Sequence, residues 1–219
     1  MEEIAKKLAG LLLEGDQQGA WELIKVESLL GKDSLHIYER VLTPAMRHIG
    51  FLWESNEITV ADEHLATSTC DFILARYLWH KQKESPTAVI PKKVMFLCVE
   101  KEQHYLGLKM ASQLFSEAGW RTRFHGPNLP LDYVRKAAEE WQPDVICISF
   151  SIIYHAEYLV TYISELEALP LRPTVIVGGR LVGKYNFDRY RSERTILTDN
   201  LKDVQKWLSS QSNGVKSSV

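Results

Sequence analysis

The sequence predicts an α/β protein, with an amino-terminal bundle of four or five helices followed by a doubly wound parallel sheet of five strands. Apolar residues recur at helical spacing through the first 88 residues, with short breaks between helices. After residue 88, short apolar runs alternate with helical segments, and strands alternating with helices form parallel sheets. The 219 residues, 45% of them hydrophobic, are enough for one large domain or two small ones.

Turn and capping residues divide the bundle into helices. Gly15-Asp16 ends the first helix and caps the second, and Gly31 to Ser34 forms the next break, with Asp33 or Ser34 as the cap. Thr43-Pro44 either begins a new helix or continues the preceding one with a kink, and the sequence leaves both open. Thr59 to Glu63 resembles a capping box that opens a long helix through about His80.

The second half of the chain alternates strand and helix. Its predicted strands are Val94–Val99, Arg121–His125, Val145–Ile148, Thr174–Val177 and Thr195–Thr198. Its predicted helices are Leu108–Ala118, Pro130–Trp141, Tyr154–Leu169 and Leu201–Leu208. The polar, proline-containing stretch Lys81–Lys93 is the predicted linker. We therefore expect a helical domain at 1–88, an α/β domain at 89–208 and a flexible tail at 209–219.

The composition of the chain argues against several classes of function. The net charge is −2, and the first 88 residues contain 9 basic and 14 acidic residues, which argues against direct DNA binding by the bundle. We expect no signal peptide and no membrane span, because no apolar run approaches the required length. The three cysteines form no CxxC pair, which is typical of a reduced, cytoplasmic protein.

Three short motifs each follow a predicted strand. Glu102 and His104 lie in the turn after the first strand, Ser149 and Ser151 end another, and Gly178-Gly179 ends a third. The carboxyl ends of parallel strands share one edge of a sheet, which is where open α/β sheets bind ligands. Histidine is the commonest metal ligand, and a nearby carboxylate can accept its other ring N–H. Glycine and serine leave room for an elongated ligand to pass the sheet edge.

These motifs resemble the cobalamin-binding domain of B12 proteins, whose pattern is Asp-x-His-x-x-Gly, then Ser-x-Leu or Ser-x-Thr, then Gly-Gly. Here the pattern has a glutamate for the aspartate, Lys101 where glycine is usual, and Ser151 where leucine or threonine is commoner. The resemblance implies a flavodoxin-like (Rossmann-like) sheet and His104 as the lower ligand of cobalt. It also implies that the displaced nucleotide tail of the cofactor passes the positions Gly107, Ser149, Ser151, Gly178 and Gly179.

The bundle contains a second pattern, Trp53-x9-Glu63-His64. Considered alone, Trp53 would be a core residue, Glu63 a first-turn carboxylate favoured by the helix dipole, and His64 a surface residue. Next to the sheet motifs, the pattern resembles the light-sensing adenosylcobalamin regulators of the CarH type. That resemblance implies that the bundle caps the upper corrin face with these three residues. The family carries a DNA-binding domain, which we do not expect here, and a histidine where this chain has Glu54.

The predicted function is therefore a cobalamin-binding sensor, most simply an adenosylcobalamin-dependent photoreceptor that acts through a homo-oligomer or a partner regulatory protein. A corrinoid carrier for methyl transfer, using methylcobalamin within a methyltransferase, is the alternative from the enzyme class. A third interpretation is a response-regulator-like interaction domain without a cofactor, which does not explain the three motifs. Neither a Walker A spacing nor a GxGxxG pattern is present, so a phosphate loop and a nicotinamide-binding Rossmann domain have no support.

Overall fold

The protein is described here by a computed structural model, which covers residues 2–84, 90–151, 156–187 and 191–213. The chain forms two compact units, Met1–Pro86 and Thr87–Val219. The first is helical, and the second contains a five-stranded sheet with helices. None of the described helices is both long enough and apolar enough to cross a membrane.

The helical unit follows the predicted breaks. Its elements are α1 (Glu3–Leu13), α2 (Gln17–Leu29), α3 (Ser34–His36), a π-helical turn (Ile37–Leu42), α4 (Thr43–Glu54) and α5 (Val60–Glu84). Asp16 caps α2 by accepting the Gly19 N–H at 2.8 Å, and Asp33 caps α3 by accepting the His36 N–H at 2.7 Å. Of the two cap candidates for α3, Asp33 is therefore the one used.

The helix that contains Pro44 is a continuation of the preceding helix, which decides between the two predicted possibilities. The Thr43 N–H donates to the Tyr38 carbonyl, five residues back, instead of four as in an α-helix. Proline has no N–H to donate to the preceding turn, and its ring clashes with a carbonyl of that turn in regular α-helix. A wider turn just before Pro44 lets the helix pass this residue without ending.

The last helix of the unit is longer than predicted. Thr59 and Asp62 form the reciprocal capping box: the Thr59 N–H donates to Asp62 Oδ2 at 2.8 Å, and the Asp62 N–H to Thr59 Oγ1 at 3.3 Å. From there α5 runs to Glu84. The prediction that Lys81 begins the linker is therefore wrong, because this polar stretch is an exposed helix end, which polarity alone does not distinguish from a loop. Residues 85–89 of the predicted linker lie outside the described residues.

The second unit is a doubly wound parallel sheet. Its strands are β1 (Lys93–Cys98), β2 (Arg121–Gly126), β3 (Val145–Ser149), β4 (Thr174–Gly178) and β5 (Ile196–Thr198). Its helices are α6 (Leu106–Glu117), α7 (Leu131–Trp141), α8 (Ala156–Glu167) and α9 (Leu201–Asn213). The strand order is β2-β1-β3-β4-β5 with parallel pairing throughout, as in flavodoxin-like proteins.

In this unit the predicted helix boundaries differ from the structure by up to five residues. Tyr154, the predicted start of α8, lies outside the described residues, and the described helix begins at Ala156. The last helix, α9, reaches Asn213, whereas the prediction ended it at Leu208 and assigned residues from 209 onward to a flexible tail. The side-chain hydroxyls of Ser209 and Ser210 donate to backbone carbonyls of the preceding helical turn, which is compatible with helix. Residues 214–219 lie outside the described part.

Candidate functional site

The ends of four neighbouring strands meet in one row at the carboxyl edge of the sheet. Cys98 of β1 pairs with Ser149 of β3, Ser149 with Gly178 of β4, and Gly178 with Thr198 of β5. The motifs therefore share one edge, as the sequence predicted. From β1 the chain crosses to β2 on one side, and β3 lies on the other, so the gap between β1 and β3 is the topological switch point.

Glu102 connects two of the predicted motifs. Its side chain is completely buried. Glu102 Oε1 accepts the His104 backbone N–H at 2.9 Å and lies 2.6 Å from His104 Nδ1. Glu102 Oε2 accepts the Ser151 N–H at 2.6 Å. One carboxylate therefore holds the histidine ring and joins the loop after β1 to the segment that follows β3.

The same contacts keep Glu102 ionised. Burial raises the pKa of this carboxyl group, but the hydrogen bonds from the His104 side chain, the His104 N–H and the Ser151 N–H together outweigh burial and lower it to about 2. An ionised carboxylate can only accept hydrogen bonds, so His104 Nδ1 carries the proton. Nε2 is then the ring nitrogen that can bind a metal, and the imidazole is 58% exposed.

Lys101, where the family pattern has glycine, adopts a left-handed backbone conformation with φ of +68°. Side chains disfavour this region, and glycine does not. The Lys101 N–H donates to Asn128 Oδ1 at 2.8 Å, and its ammonium donates to the Tyr158 hydroxyl at 3.0 Å. The Asn128 N–H in turn donates to the Glu102 carbonyl at 2.9 Å. The departure from the family pattern is therefore accommodated by two anchoring side chains.

A further tyrosine holds the start of the same loop. The Tyr162 hydroxyl accepts the Glu100 N–H at 3.1 Å and donates to the Leu129 carbonyl at 2.6 Å. Asn128, Tyr158 and Tyr162 are not among the residues predicted from the sequence. A signal for the tyrosines exists, since residues four apart on a helix share one face, but nothing in the sequence connects that face to the loop.

Ser151 and the two glycines at the rim differ in what accounts for them. In the part of the chain that the structure describes, Ser151 Oγ is buried without a hydrogen-bond partner. Gly107 has negative φ, and a Cβ there would meet nothing within 4 Å, so the chain itself does not require glycine at this position. Gly179 has φ of +151°, and a Cβ there would lie 2.0 Å from the Phe150 carbonyl oxygen. A buried hydroxyl without a partner fits a polar ligand at this edge.

The nearby thiol of Cys98 is a poor ligand. Burial, with a smaller contribution from the charge of Glu102, raises the pKa of Cys98 to about 12. The thiol therefore stays protonated at neutral pH, and it is the thiolate that binds metals. Its sulfur contacts the His104 carbonyl at 3.8 Å, a packing role within the same loop.

In the helical unit the predicted residues lie near two successive helix ends. Trp53 is in the last turn of α4 and 47% exposed, so the core interpretation of this residue is wrong. Glu63 and His64 are in the first turn of α5, with 3.8 Å between Glu63 Oε2 and His64 Nε2, and His64 is 75% exposed. The Thr67 hydroxyl donates to Glu63 Oε1 at 2.8 Å and orients that carboxylate.

Comparisons with known proteins identify the family of the chain. Two family models, each described as a B12 binding domain, match residues 4–77 and 92–193. The chain is 29% identical over 154 residues to the HTH-type transcriptional repressor CarH of Myxococcus xanthus. That match covers 70% of this chain and 50% of the repressor, so the chain spans about half the length of this curated relative.

Solved structures show the same fold. The monomethylamine corrinoid protein of Methanosarcina barkeri superposes with a TM-score of 0.68 at 19% identity, covering 94% of this chain and 96% of that one. A cobalamin-binding protein from Desulfitobacterium hafniense DCB-2 gives a TM-score of 0.50 at 18% identity, covering 94% and 97%.

Proposed function

Because this chain belongs to the B12-binding-domain proteins and has a cobalamin-type cofactor, we propose that it is an adenosylcobalamin-dependent light sensor. In this proposal His104 is the lower ligand of cobalt, and the helical unit supplies residues to the upper face. Output passes through self-association or a partner protein.

The observation that carries His104 as the cobalt ligand is the contact between His104 Nδ1 and the buried carboxylate of Glu102. A ligating histidine commonly donates its second ring N–H to a carboxylate, which fixes the tautomer and makes the ligand more basic. Glu102 is held from its other oxygen by the Ser151 N–H, so contacts within the fold orient the ring. Preorganisation of this kind reduces the entropic cost of binding.

The remaining rim residues fit the displaced nucleotide tail. The hydroxyl of Ser151 offers both a donor and an acceptor to a polar atom of the tail. Ser149 has a small side chain and Gly178 and Gly179 have none at the adjacent strand ends, and Gly107 leaves the first turn of α6 open. Each of these residues would bind or make room, and none is assigned a chemical step.

The sensor interpretation depends on the helical unit. Bound adenosylcobalamin would supply a cobalt–carbon bond that visible light can break. Trp53 offers an exposed aromatic surface for packing beside the upper ligand, and Glu63 and His64 offer polar contacts. In this proposal these residues stabilise the conformation that the protein adopts with the adenosyl group bound. Loss of that group after illumination shifts the equilibrium toward the second conformation. Glu54 replaces the histidine of the light-sensing relatives, so a second histidine ligand after illumination would have to come from another residue, such as His64.

The test is an absorption spectrum of purified protein mixed with adenosylcobalamin in darkness, freed of excess cofactor, and measured before and after green light. We expect retained cobalamin, a histidine-ligated spectrum and a light-dependent change. The His104→Ala variant should bind more weakly and lose the histidine-ligated spectrum, whereas the control His48→Ala, in the helical unit, should behave as wild type.

The carrier for methyl transfer is the second candidate, and Glu54 is the observation that favours it. A carboxylate is a harder donor than imidazole and a poorer partner for cobalt in the light product of the sensor family. Equal retention of the adenosyl and methyl forms, with no structural response to light, would support the carrier. If no form of cobalamin is retained, both proposals are wrong. An unchanged spectrum in the His104→Ala variant would exclude this histidine as the ligand.

A further inference from the structure

Helix α5 carries apolar side chains on two opposite sides. One side fills the interior of the helical unit with Ala66, Cys70, Ile73, Leu74 and Tyr77. On the other side Leu65, Phe72 and Trp79 are 46%, 41% and 62% exposed. A helix at the surface of a bundle normally turns polar residues outward, because apolar surface is costly to leave in water. The exposed side therefore has the composition of a surface that another element covers.

The spacing of these residues indicates what kind of element. Leu65, Phe72 and Trp79 are seven residues apart, with Ser68 and Ala75 between them at alternating steps of three and four. This is the a/d pattern of a coiled coil. Ala61 and Gln82 continue the pattern at the two ends, so the strip from 61 to 82 is about 31 Å long at 1.5 Å per residue. We call it the α5 strip, and its repeat indicates a helix as its partner.

The sizes of the side chains indicate a second copy of the same helix. Large residues occupy one heptad position of the α5 strip and small or polar residues the other. In an antiparallel pair each a position faces a d position, so Phe72 faces Ala75 of the second copy and Trp79 faces Ser68 of the second copy. The two largest residues then each meet a small one, and Leu65 meets the polar Gln82, which keeps the helices evenly spaced. A parallel pair would place Trp79 on Trp79 and Ala75 on Ala75.

Charge agrees with the same register. Asp62 lies beside the first residues of the strip, and Lys83 lies beside its last residues. When Phe72 faces Ala75 of the second copy, Asp62 of one copy therefore lies near Lys83 of the other. Twofold symmetry forms this pair of unlike charges twice. The helix dipoles also oppose each other in an antiparallel pair, which is the favourable arrangement.

We propose that two copies of this chain self-associate through the α5 strip, with the helices antiparallel and Phe72 facing Ala75 of the second copy. The proposal deepens and rests on the proposed function, since it specifies the surface for output through self-association. Glu63 and His64 lie in the first turn of the same helix. Glu63, His64 and the α5 strip therefore lie on one rigid helix, so a movement of the helix at the two residues also moves the self-association surface.

The first test is the mass of the full chain in solution, measured by analytical ultracentrifugation with and without adenosylcobalamin. We expect twice the chain mass of 25.1 kDa for the wild type in at least one of the two conditions. The double variant Phe72→Gln and Trp79→Gln should have the mass of one chain, since glutamine preserves helix propensity but removes the apolar strip. Leu30→Gln, at an exposed leucine outside the strip, is the matched control and should stay dimeric.

The second test fixes the register. Phe72→Cys and Ala75→Cys variants are oxidised separately and as an equimolar mixture. The native Cys70, Cys98 and Cys147 are buried, so the introduced thiols are the accessible ones. The antiparallel register predicts that disulfide-linked dimers form preferentially in the mixture. Efficient linking of the Phe72→Cys variant alone, as in a parallel pair, would overturn the proposal.

The α5 interface and the proposed cobalamin-dependent function are contradicted by different results. A wild-type chain that is monomeric in both conditions overturns the α5 strip as an interface, even if it retains cobalamin. A dimer that dissociates on Phe72→Gln and Trp79→Gln but retains no cobalamin supports the interface and overturns the proposed function. If the double variant loses cobalamin together with its dimeric mass, the strip contributes to the cofactor site, and the assignment as a separate interface is wrong.

Discussion

The sheet edge and the helical unit present their candidate residues in opposite ways. At the sheet edge, Glu102 is completely buried and its two oxygens hold His104 and Ser151 through three contacts of 2.6 to 2.9 Å. In the helical unit, Trp53 and His64 are largely exposed, and the contact between Glu63 and His64 is 3.8 Å long. The first set is built into the fold, and the second lies on its surface.

This difference separates what each set can contribute. Residues tied into the backbone at the sheet edge must affect the stability of the cofactor-free protein as well as binding. Exposed side chains have few interactions to lose, so their replacement should affect only states in which the cofactor is bound. The comparison therefore predicts large effects on folding at the edge and small ones in the bundle.

The largest expected effect is that of Gly179→Ala. The added Cβ would meet the Phe150 carbonyl oxygen at 2.0 Å, and φ of +151° is unfavourable for alanine. We expect a loss of about 4 kcal/mol in the free energy of unfolding, because backbone on both sides must move. Urea unfolding measures it. Gly107→Ala is the matched control, since nothing lies within 4 Å of its added Cβ. A similar loss in both variants would contradict the argument.

Glu102→Ala should come next, with a loss of about 3 kcal/mol, because it leaves the backbone N–H groups of His104 and Ser151 without their acceptor. His104→Ala should change the free energy of unfolding by less than about 1 kcal/mol, since most of its ring is exposed. The comparison is made on cofactor-free protein by urea unfolding. If both substitutions are equally mild, Glu102 does not organise the edge.

The pH dependence of the cofactor-free protein should report the same carboxylate. Its folded pKa, about 2, is below the ordinary value of 4.5 for an unfolded glutamate, so between these values the unfolded chain binds more protons. The stabilisation by Glu102 is complete above about pH 5 and is lost as the pH falls toward 2. Unfolding followed across this range should show a smaller acid effect in Glu102→Gln than in wild type. An equal slope in both would place the acid sensitivity elsewhere.

The smallest effect on folding is expected for the helical residues. Trp53→Ala and His64→Ala should each change the free energy of unfolding by about 0.5 kcal/mol or less. Both should nevertheless reduce the preference for adenosylcobalamin over methylcobalamin, which competitive binding in darkness measures. Loss of stability comparable to that of Glu102→Ala would show that these residues belong to the fold. An unchanged preference would remove them from the upper face.

Much of the site could be predicted because it depends on local pattern. Strand ends follow from apolar runs and parallel strands share an edge, which predicts that His104, Ser149 and Gly178 lie along the same edge. The interaction of Glu102 with His104 was also predicted, since the two residues are two positions apart. Ser151 was predicted as a ligand-facing residue, but its N–H contact to Glu102 was not. That bond joins residues 49 positions apart, and short-range spacing carries no information about it.

The sequence by itself determined the two-part architecture, the parallel sheet and the position of the motifs, because periodicity, caps and glycines act over a few residues. Only the tertiary structure showed that Lys101 is held by Asn128 and Tyr158, that Trp53 is exposed, and that α5 has two apolar sides. The physical reason is the same for all three. Burial and long-range hydrogen bonds depend on which distant segments meet, and an identical local pattern is compatible with either outcome.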